Sequence, residues 1–143
     1  MPFAVTLPVR FGDCDAAGIG YYPRLLALVD AAIEDWTAAT IGIDRATLHG
    51  QQRCGLPTIT LTTHFTAVCR MGERLTLGVR LKRIGNSSIE LDVRAEVDSA
   101  PRFTVALVQA LIDTSTGRPV PWPDAWRARL LATMEPVSAT GAG

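Results

Sequence analysis

The sequence lacks the features typical of secreted, membrane-spanning and nucleic-acid-binding chains. No apolar run approaches the ~20 residues that a membrane-spanning helix needs, and no basic start followed by an apolar stretch opens the chain. The 14 basic and 14 acidic side chains balance, which argues against a surface that neutralises many nucleic-acid phosphates. We therefore expect a cytoplasmic protein with neither a nucleic-acid nor a membrane partner.

Cysteine is also scarce, and several common catalytic motifs are missing. Cys14, Cys54 and Cys69 are odd in number and form no CxxC pair, so we expect neither a disulfide framework nor a zinc site. The absence of a G-x-S-x-G elbow argues against the α/β-hydrolase mechanism, and no P-loop or HExxH motif occurs. We expect no metal and no redox cofactor.

Length and composition are those of one globular domain. The chain has 143 residues, of which 48% are hydrophobic and 20% charged, enough to bury a substantial core. We predict a single domain over residues 1–134. The small, polar residues 135–143 are expected to form a disordered tail.

One long amphipathic helix is predicted between Pro23 and about Thr40. Its apolar residues recur at steps of three and four, and proline suits the first helical position. The predicted apolar face consists of Leu25, Leu28, Val29, Ala32, Ile33 and Trp36. Residues 41–53 contain two glycines and several polar residues, and we expect an irregular crossing there.

The remaining segments mostly alternate with the period of β-strands. The predicted strands are Ala4–Phe11, Thr58–Cys69, Arg74–Arg83, Ser88–Asp98 and Arg102–Asp113, followed by a short helix at Ala125–Thr133. The last strand alternates weakly, which predicts burial on both of its faces. Periodicity alone therefore indicates an α+β fold with a mostly antiparallel sheet.

The segment 10–23, RFGDCDAAGIGYYP, places two carboxylates in a tight loop directly before the long helix. A reactive aspartate that faces the amide end of a helix can combine attack on a carbonyl with stabilisation of the oxyanion. A simpler interpretation is also open, because acidic residues favour the positive end of a helix dipole.

This segment resembles the active-site segment of hotdog-fold thioesterases of the 4-hydroxybenzoyl-CoA thioesterase type. That family's pattern, roughly aromatic-Gly-Asp-x-Asp-x-x-Gly-Ile followed by an aromatic pair and proline, is matched by Phe11, Gly12, Asp13, Asp15, Gly18, Ile19, Tyr22 and Pro23. The resemblance implies a curved antiparallel sheet of about five strands wrapped around one central helix. It also implies a homodimer or homotetramer that hydrolyses an acyl-CoA, such as 4-hydroxybenzoyl-CoA or benzoyl-CoA.

Within the resemblance, Asp15 corresponds to the catalytic carboxylate and the backbone amide of Tyr22 to the group that polarises the carbonyl. Asp15 could act as the nucleophile or as the general base that activates water. We expect Asp13 to have a structural role in the loop. Flanking negative charges should keep Cys14 a thiol, which argues against a cysteine nucleophile.

Further candidate substrate-binding residues are less specific. Gly18 and Ile19 belong to the loop, and Thr60 and His64 could line an acyl pocket, although threonine is also a common strand former. Arg83 and Ser88 flank a turn where the resemblance favours binding of coenzyme A phosphates. A solvated strand charge is the simpler interpretation of Arg83.

Two other functions stay open at this point. A short-chain aliphatic acyl-CoA could be the substrate, or the domain could bind acyl-CoA without turning it over. A hotdog hydratase would use a histidine before the central helix, and neither His49 nor His64 occupies that position.

Overall fold

The computed structural model describes residues 2–134, so the expected tail over residues 135–143 lies outside the described residues. Its elements in chain order are β1 (Phe3–Pro8), a 3-10 turn (Phe11–Asp13), α1 (Tyr22–Ile41), α2 (Arg45–Gly50), β2 (Cys54–Gly55), β3 (Thr58–Phe65), β4 (Arg74–Ile84), β5 (Ser88–Val97), β6 (Ala100–Ala110), β7 (Ile112–Asp113) and α3 (Asp124–Ala132).

The main structural unit is a five-stranded sheet in the order β1-β4-β5-β6-β3. Each neighbouring pair is antiparallel. Strands β2 and β7 form a separate two-stranded sheet. The long helix α1 packs on the inner face of the main sheet, which confirms the predicted α+β class and the hotdog arrangement.

Helix α1 occupies the predicted region and extends it by one residue at each end. Its buried side chains include Leu25, Val29, Ala32, Ile33 and Trp36, as the spacing predicts. The helix ends at Gly42, whose φ of 75° lies in the left-handed region that glycine adopts without a penalty. No helix within residues 2–134 combines the length and apolar character needed to cross a membrane.

Strands β4 and β5 supply the centre of the core, also as predicted. Alternate residues of both strands are buried on the inner face, namely Leu75, Leu77, Val79, Leu81, Ile89, Leu91, Val93, Ala95 and Val97. The alternating apolar residues of the sequence are the buried ones in the structure, because the opposite face of these strands is polar.

Several predicted boundaries or environments are wrong. The first strand ends at Pro8, and a 3-10 turn takes up the rest of its predicted length. Residues 41–53 contain α2, because the Asp44 carboxylate accepts a hydrogen bond from the amide of Thr47 at 2.8 Å and caps a short helix. Over residues 103–107, strand β6 is buried on its inner face only, because no described element covers outward-facing Thr104 and Ala106.

Strand β3 also differs from its prediction. It ends at Phe65 because the carbonyl of Arg102 accepts hydrogen bonds from the amides of Thr66 and Ala67 at 2.9 and 3.2 Å, and the ladder stops there. The strand lies at an edge of the sheet, where α1 does not cover it. Ile59, Leu61 and Phe65 are consequently 59%, 44% and 46% exposed.

Candidate active site

The acidic loop, residues 13–20, connects the 3-10 turn to α1. Asp13 closes its first turn, since the carboxylate accepts a hydrogen bond from the amide of Arg10 at 2.9 Å. The carbonyl of Asp13 accepts a second one from the amide of Tyr21 at 2.8 Å, which joins the turn to the start of the helix. These contacts give Asp13 the structural role expected for it.

Asp15 is an exposed carboxylate held by its own loop. Its Oδ1 accepts hydrogen bonds from the amides of Ala17 and Ile19 at 2.9 and 3.3 Å. Within the described residues, its Oδ2 has no protein donor. Gly18 makes this tight loop possible, because its φ of 76° is strained for residues that carry a Cβ. One carboxylate oxygen is thus held by the loop, while the other accepts no hydrogen bond from the described residues.

The first turn of α1 begins directly beside this loop. Tyr21 is the N-cap, and its carbonyl accepts hydrogen bonds from the amides of Arg24 and Leu25 at 2.9 and 3.1 Å. Pro23 has no N–H, and in the part of the chain that the structure describes the amide of Tyr22 has no acceptor. The positive end of the helix therefore offers one unpaired donor at Tyr22.

Asp15, Ile19 and Tyr22 line a common cavity of about 440 Å³. The structure thus brings together three of the residues singled out in the sequence. The opposite wall is formed by residues that the sequence interpretation missed as site residues: Phe65, Thr66, Ala67, Val68 and Cys69. Phe65 and Ala67 alternate like inward-facing strand residues, and no local signal shows that the strand ends there.

A second cavity, of about 660 Å³, also has Asp15 in its lining. Gly18 contributes to this second cavity, together with Phe11 and Met71. Asp15 therefore lines both cavities, so one could hold a substrate group beside it while the other admits a second group or water.

The acidic loop is fixed to the segment that carries the opposite wall. The amide of Gly20 donates to the carbonyl of Cys69 at 2.7 Å, and the amide of Met71 donates to the carbonyl of Gly18 at 3.1 Å. At Gly20, a Cβ would lie 2.9 Å from Cδ2 of buried Leu25, so glycine permits this close approach.

The other candidate residues lie elsewhere in the single chain. Thr60 and His64 pair with Val108 and Thr104 and share the outer face of the sheet with them. Arg83 and Ser88 lie at the far end of the β4–β5 hairpin, about 30 Å along the strands from the acidic loop. Arg83 contacts Glu90 at 3.5 Å on the surface.

The thiols near the cavity are poorly suited to nucleophilic chemistry. Burial, with the charges of Asp13 and Asp15, raises the pKa of Cys14. Burial also raises the pKa of Cys69. A raised pKa lowers the fraction of reactive thiolate. Within residues 2–134, no three side chains of His, Cys, Asp or Glu are grouped as a metal site requires.

Comparison with known proteins adds independent observations. Residues 9–130 match the family model of the thioesterase-like superfamily. A 1,4-dihydroxy-2-naphthoyl-CoA hydrolase of Synechococcus elongatus is 26% identical over 117 residues, covering 81% of this chain and 85% of the relative.

Solved structures show the same fold. A 1,4-dihydroxy-2-naphthoyl-CoA thioesterase from Synechocystis superposes with a TM-score of 0.83 at 17% identity, covering 95% of this chain and 100% of its own. A gentisyl-coenzyme A thioesterase superposes with a TM-score of 0.81 at 20% identity, covering 90% of this chain and 99% of its own. The fold shared with these thioesterases is consistent with the family that the family model indicates.

Proposed function

The chain belongs to the thioesterase-like superfamily, and from that membership we propose that it hydrolyses the coenzyme A thioester of an aromatic acid to the free acid and coenzyme A. The observation that carries this proposal is the shared cavity of Asp15 and the unpaired amide of Tyr22. The relatives named for naphthoyl-CoA and gentisyl-CoA support an aromatic acyl group. Within that class, 4-hydroxybenzoyl-CoA and benzoyl-CoA are our proposed substrates.

The chemistry requires a nucleophile on one side of the thioester carbonyl and a donor at its oxygen. With the amide of Tyr22 at the carbonyl oxygen, negative charge that develops there is stabilised at the positive end of α1. Oδ2 of Asp15 is then the reacting oxygen, since Oδ1 accepts two backbone hydrogen bonds.

Two routes use the same Asp15 carboxylate. In the nucleophilic route, Oδ2 attacks the carbonyl carbon, the C–S bond breaks, and coenzyme A leaves as the thiolate. Water then hydrolyses the mixed anhydride and regenerates Asp15. In the general-base route, Asp15 takes a proton from the water that attacks. A burst of coenzyme A release ahead of acid formation would identify the anhydride.

The cavity wall supports an aromatic acyl group. Ile19, Phe65 and Val68 present apolar surface, and the Tyr21 and Tyr22 rings lie edge to face at 5.8 Å between centroids. Aromatic rings favour such edge-to-face and offset contacts. Asp15 lines the same cavity, so a flat acyl ring held by these side chains would share that cavity with the carboxylate-bearing residue.

We further propose that two copies pair through β3. The edge position of β3 and its exposed Leu61 and Phe65 leave apolar surface that a second copy can cover. A two-fold pairing of antiparallel β3 edges places the Thr58 end of one copy beside the cavity of the other. Because Ser88 lies at that same end of the sheet, this arrangement would bring a second copy's Arg83 and Ser88 towards the cavity.

The experiment that tests the activity measures thiol release from a panel of acyl-CoA substrates. The panel contains 4-hydroxybenzoyl-, benzoyl-, 1,4-dihydroxy-2-naphthoyl- and gentisyl-CoA, with acetyl-, butyryl- and hexanoyl-CoA as the aliphatic arm. We expect kcat/KM for the best aromatic substrate to exceed that for every aliphatic one.

Two outcomes would contradict the proposal. A preference for a short aliphatic chain would overturn the substrate class while leaving the reaction in place. Tight binding of several acyl-CoA molecules without any thiol release would identify a binding protein and overturn the reaction itself.

A further inference from the structure

We propose that Glu73 and Arg102 are a pair of positioning residues that hold the cavity wall and, through it, the acidic loop that carries Asp15. The inference rests on the proposed function for its kinetic consequences. Neither side chain lines either cavity that contains Asp15, so their effect on the reaction would be indirect.

The Arg102 guanidinium makes a two-pronged ion pair with Glu73. Its Nη1 donates to Oε1 at 2.6 Å and its Nη2 donates to Oε2 at 2.8 Å. Nη1 also donates to the carbonyl of Val68 at 2.7 Å. Oε1 of Glu73 accepts a further hydrogen bond from the amide of Arg70 at 2.6 Å. The pair therefore holds Val68 and Arg70 within one segment, residues 66–73, which we call the wall segment.

The backbone of Arg102 holds the same segment at its start. Its carbonyl oxygen accepts hydrogen bonds from the amides of Thr66 and Ala67 and from the Thr66 hydroxyl, the last at 3.1 Å. One residue of β6 thus contacts the wall segment through both its main chain and its side chain. This explains why the chain leaves the sheet after Phe65 and still runs close to it.

The wall segment in turn holds the acidic loop. The hydrogen bonds of Gly20 to Cys69 and of Met71 to Gly18 form a short antiparallel bridge in which Ile19 pairs with Arg70. Ile19 donates to the Asp15 carboxylate. Hydrogen bonds joined by short stretches of backbone therefore connect Arg102 through the wall segment to the Asp15 carboxylate.

The charge of the pair is suited to this role at neutral pH. The hydrogen bond from Arg102 is the main reason that the pKa of Glu73 is lowered, so Glu73 is ionised there. The Glu73 and Arg102 side chains are 24% and 16% exposed, whereas Arg80 in the Arg80–Asp92 pair is 68% exposed. Partial burial and bidentate geometry strengthen an ion pair relative to an exposed one.

The test compares purified full-length variants at a temperature where circular dichroism shows each to be folded. Glu73→Gln removes the charge with little change of shape, and Arg102→Lys keeps the charge but loses the planar fork. Asp92→Asn is the matched control, because it breaks a cross-strand ion pair of similar length, 2.9 Å, on the outer face of the sheet.

We expect Glu73→Gln and Arg102→Lys each to lower kcat about tenfold or more, because small displacements of a reacting group are costly. KM for the best substrate should change less than about threefold, because no cavity-lining side chain is altered. The double variant should be no slower than the slower single variant, as expected for residues that act as a unit. Asp92→Asn should keep the wild-type kcat.

Hydrogen exchange provides a readout that does not depend on the substrate. The amides of Gly20 and Met71 should exchange faster in Glu73→Gln than in the wild type and in Asp92→Asn. Wild-type kcat in both single variants, or unchanged exchange at both amides, would overturn the positioning role. An inactive wild-type protein would instead contradict the proposed function, and the exchange measurement would then decide the positioning role alone.

Discussion

Asp15 and Ile19 are joined by reciprocal hydrogen bonds. The amide of Asp15 donates to the carbonyl of Ile19 at 2.9 Å, and the amide of Ile19 donates to the carboxylate of Asp15 at 3.3 Å. The pair closes a small ring over residues 15–19 in which Gly18 takes the left-handed conformation. The ring orients the carboxylate through backbone donors alone, which suits the role proposed for Asp15 as nucleophile or general base.

Asp15→Asn should lower kcat by about a hundredfold or more, the range expected when a nucleophile or base is removed. The amide oxygen of asparagine can still accept the hydrogen bonds from Ala17 and Ile19, so the loop should keep its shape. Substrate affinity should persist or improve because a negative charge is lost beside an anionic ligand. Steady-state kinetics with the best substrate of the panel would measure both effects.

Asp13→Asn is the matched control for that variant. It changes the same functional group two positions earlier, where the carboxylate caps the amide of Arg10. We expect it to lower kcat much less than Asp15→Asn. Near-wild-type turnover in Asp15→Asn would contradict the proposed mechanism, whatever the Asp13 variant shows.

Gly18→Val should reduce kcat/KM strongly while the circular dichroism spectrum stays native. A Cβ at Gly18 would meet no protein atom within 4 Å, so a clash with the rest of the loop is not the reason. The cost comes from the positive φ, about 1–2 kcal/mol for a residue with a Cβ and more for a β-branched one.

Gly12 offers the matched control for Gly18, because a Cβ there also meets nothing within 4 Å and its φ is not positive. Gly12→Val should therefore retain more activity than Gly18→Val. Equal losses in the two variants would show that backbone strain at Gly18 is not the cause.

The elements that the sequence predicts well are those with a local cause. Helix α1 follows from apolar residues at helical spacing, and β4 and β5 follow from alternation over a sheet with one polar face. The acidic loop and the start of α1 lie next to each other in the chain, so segment 10–23 alone indicates that Asp15 and Tyr22 line the same cavity.

The parts that the sequence does not predict depend on distant partners. The side of the cavity formed by residues 65–69 depends on Arg102, which is far along the chain. Its carbonyl accepts hydrogen bonds from Thr66 and Ala67, and β3 stops there. The exposed apolar residues of β3 look like core residues in the sequence, because alternation reports a buried face without saying what covers it.

Leu61→Glu tests the proposed pairing through β3. We expect the wild-type protein to be a dimer or tetramer by light scattering at micromolar concentration, and the variant to shift towards the monomer. A buried, unpaired carboxylate at an interface is costly, whereas on an exposed strand it is tolerated. Thr62→Glu, on the outer face of the same strand, is the control that should pair normally. A strictly monomeric and fully active wild type would contradict the pairing.

The stability of the protein should depend on pH through Glu73. Because its folded-state pKa is lowered, mainly by the hydrogen bond from Arg102, the carboxylate binds protons more readily in the unfolded chain. Its contribution is therefore present above the ordinary glutamate pKa of about 4.3 and is lost as pH falls through the lower folded value. Urea midpoints measured between about pH 6 and pH 3 should fall less steeply for Glu73→Gln than for the wild type. Urea midpoints that fall equally steeply with pH in both proteins would contradict a contribution of the ion pair to the free energy of unfolding.

The backbone amide of Tyr22 can be tested without relying on its side chain. Proline at this position removes the N–H, and the site accepts it: Tyr22 opens α1, and Tyr21 has φ −83° and ψ 123°, the extended backbone that a residue before proline prefers. Tyr22→Ala keeps the amide and removes the ring, so the comparison of Tyr22→Pro with Tyr22→Ala isolates the donor. Loss of one oxyanion donor typically costs about 10²–10³ in kcat, and we expect a difference of that size between the two variants.

Tyr22→Phe should keep substantial activity. Equal kcat in Tyr22→Pro and Tyr22→Ala would exclude this amide as the oxyanion donor, and an inactive Tyr22→Phe would assign the chemistry to the phenol instead.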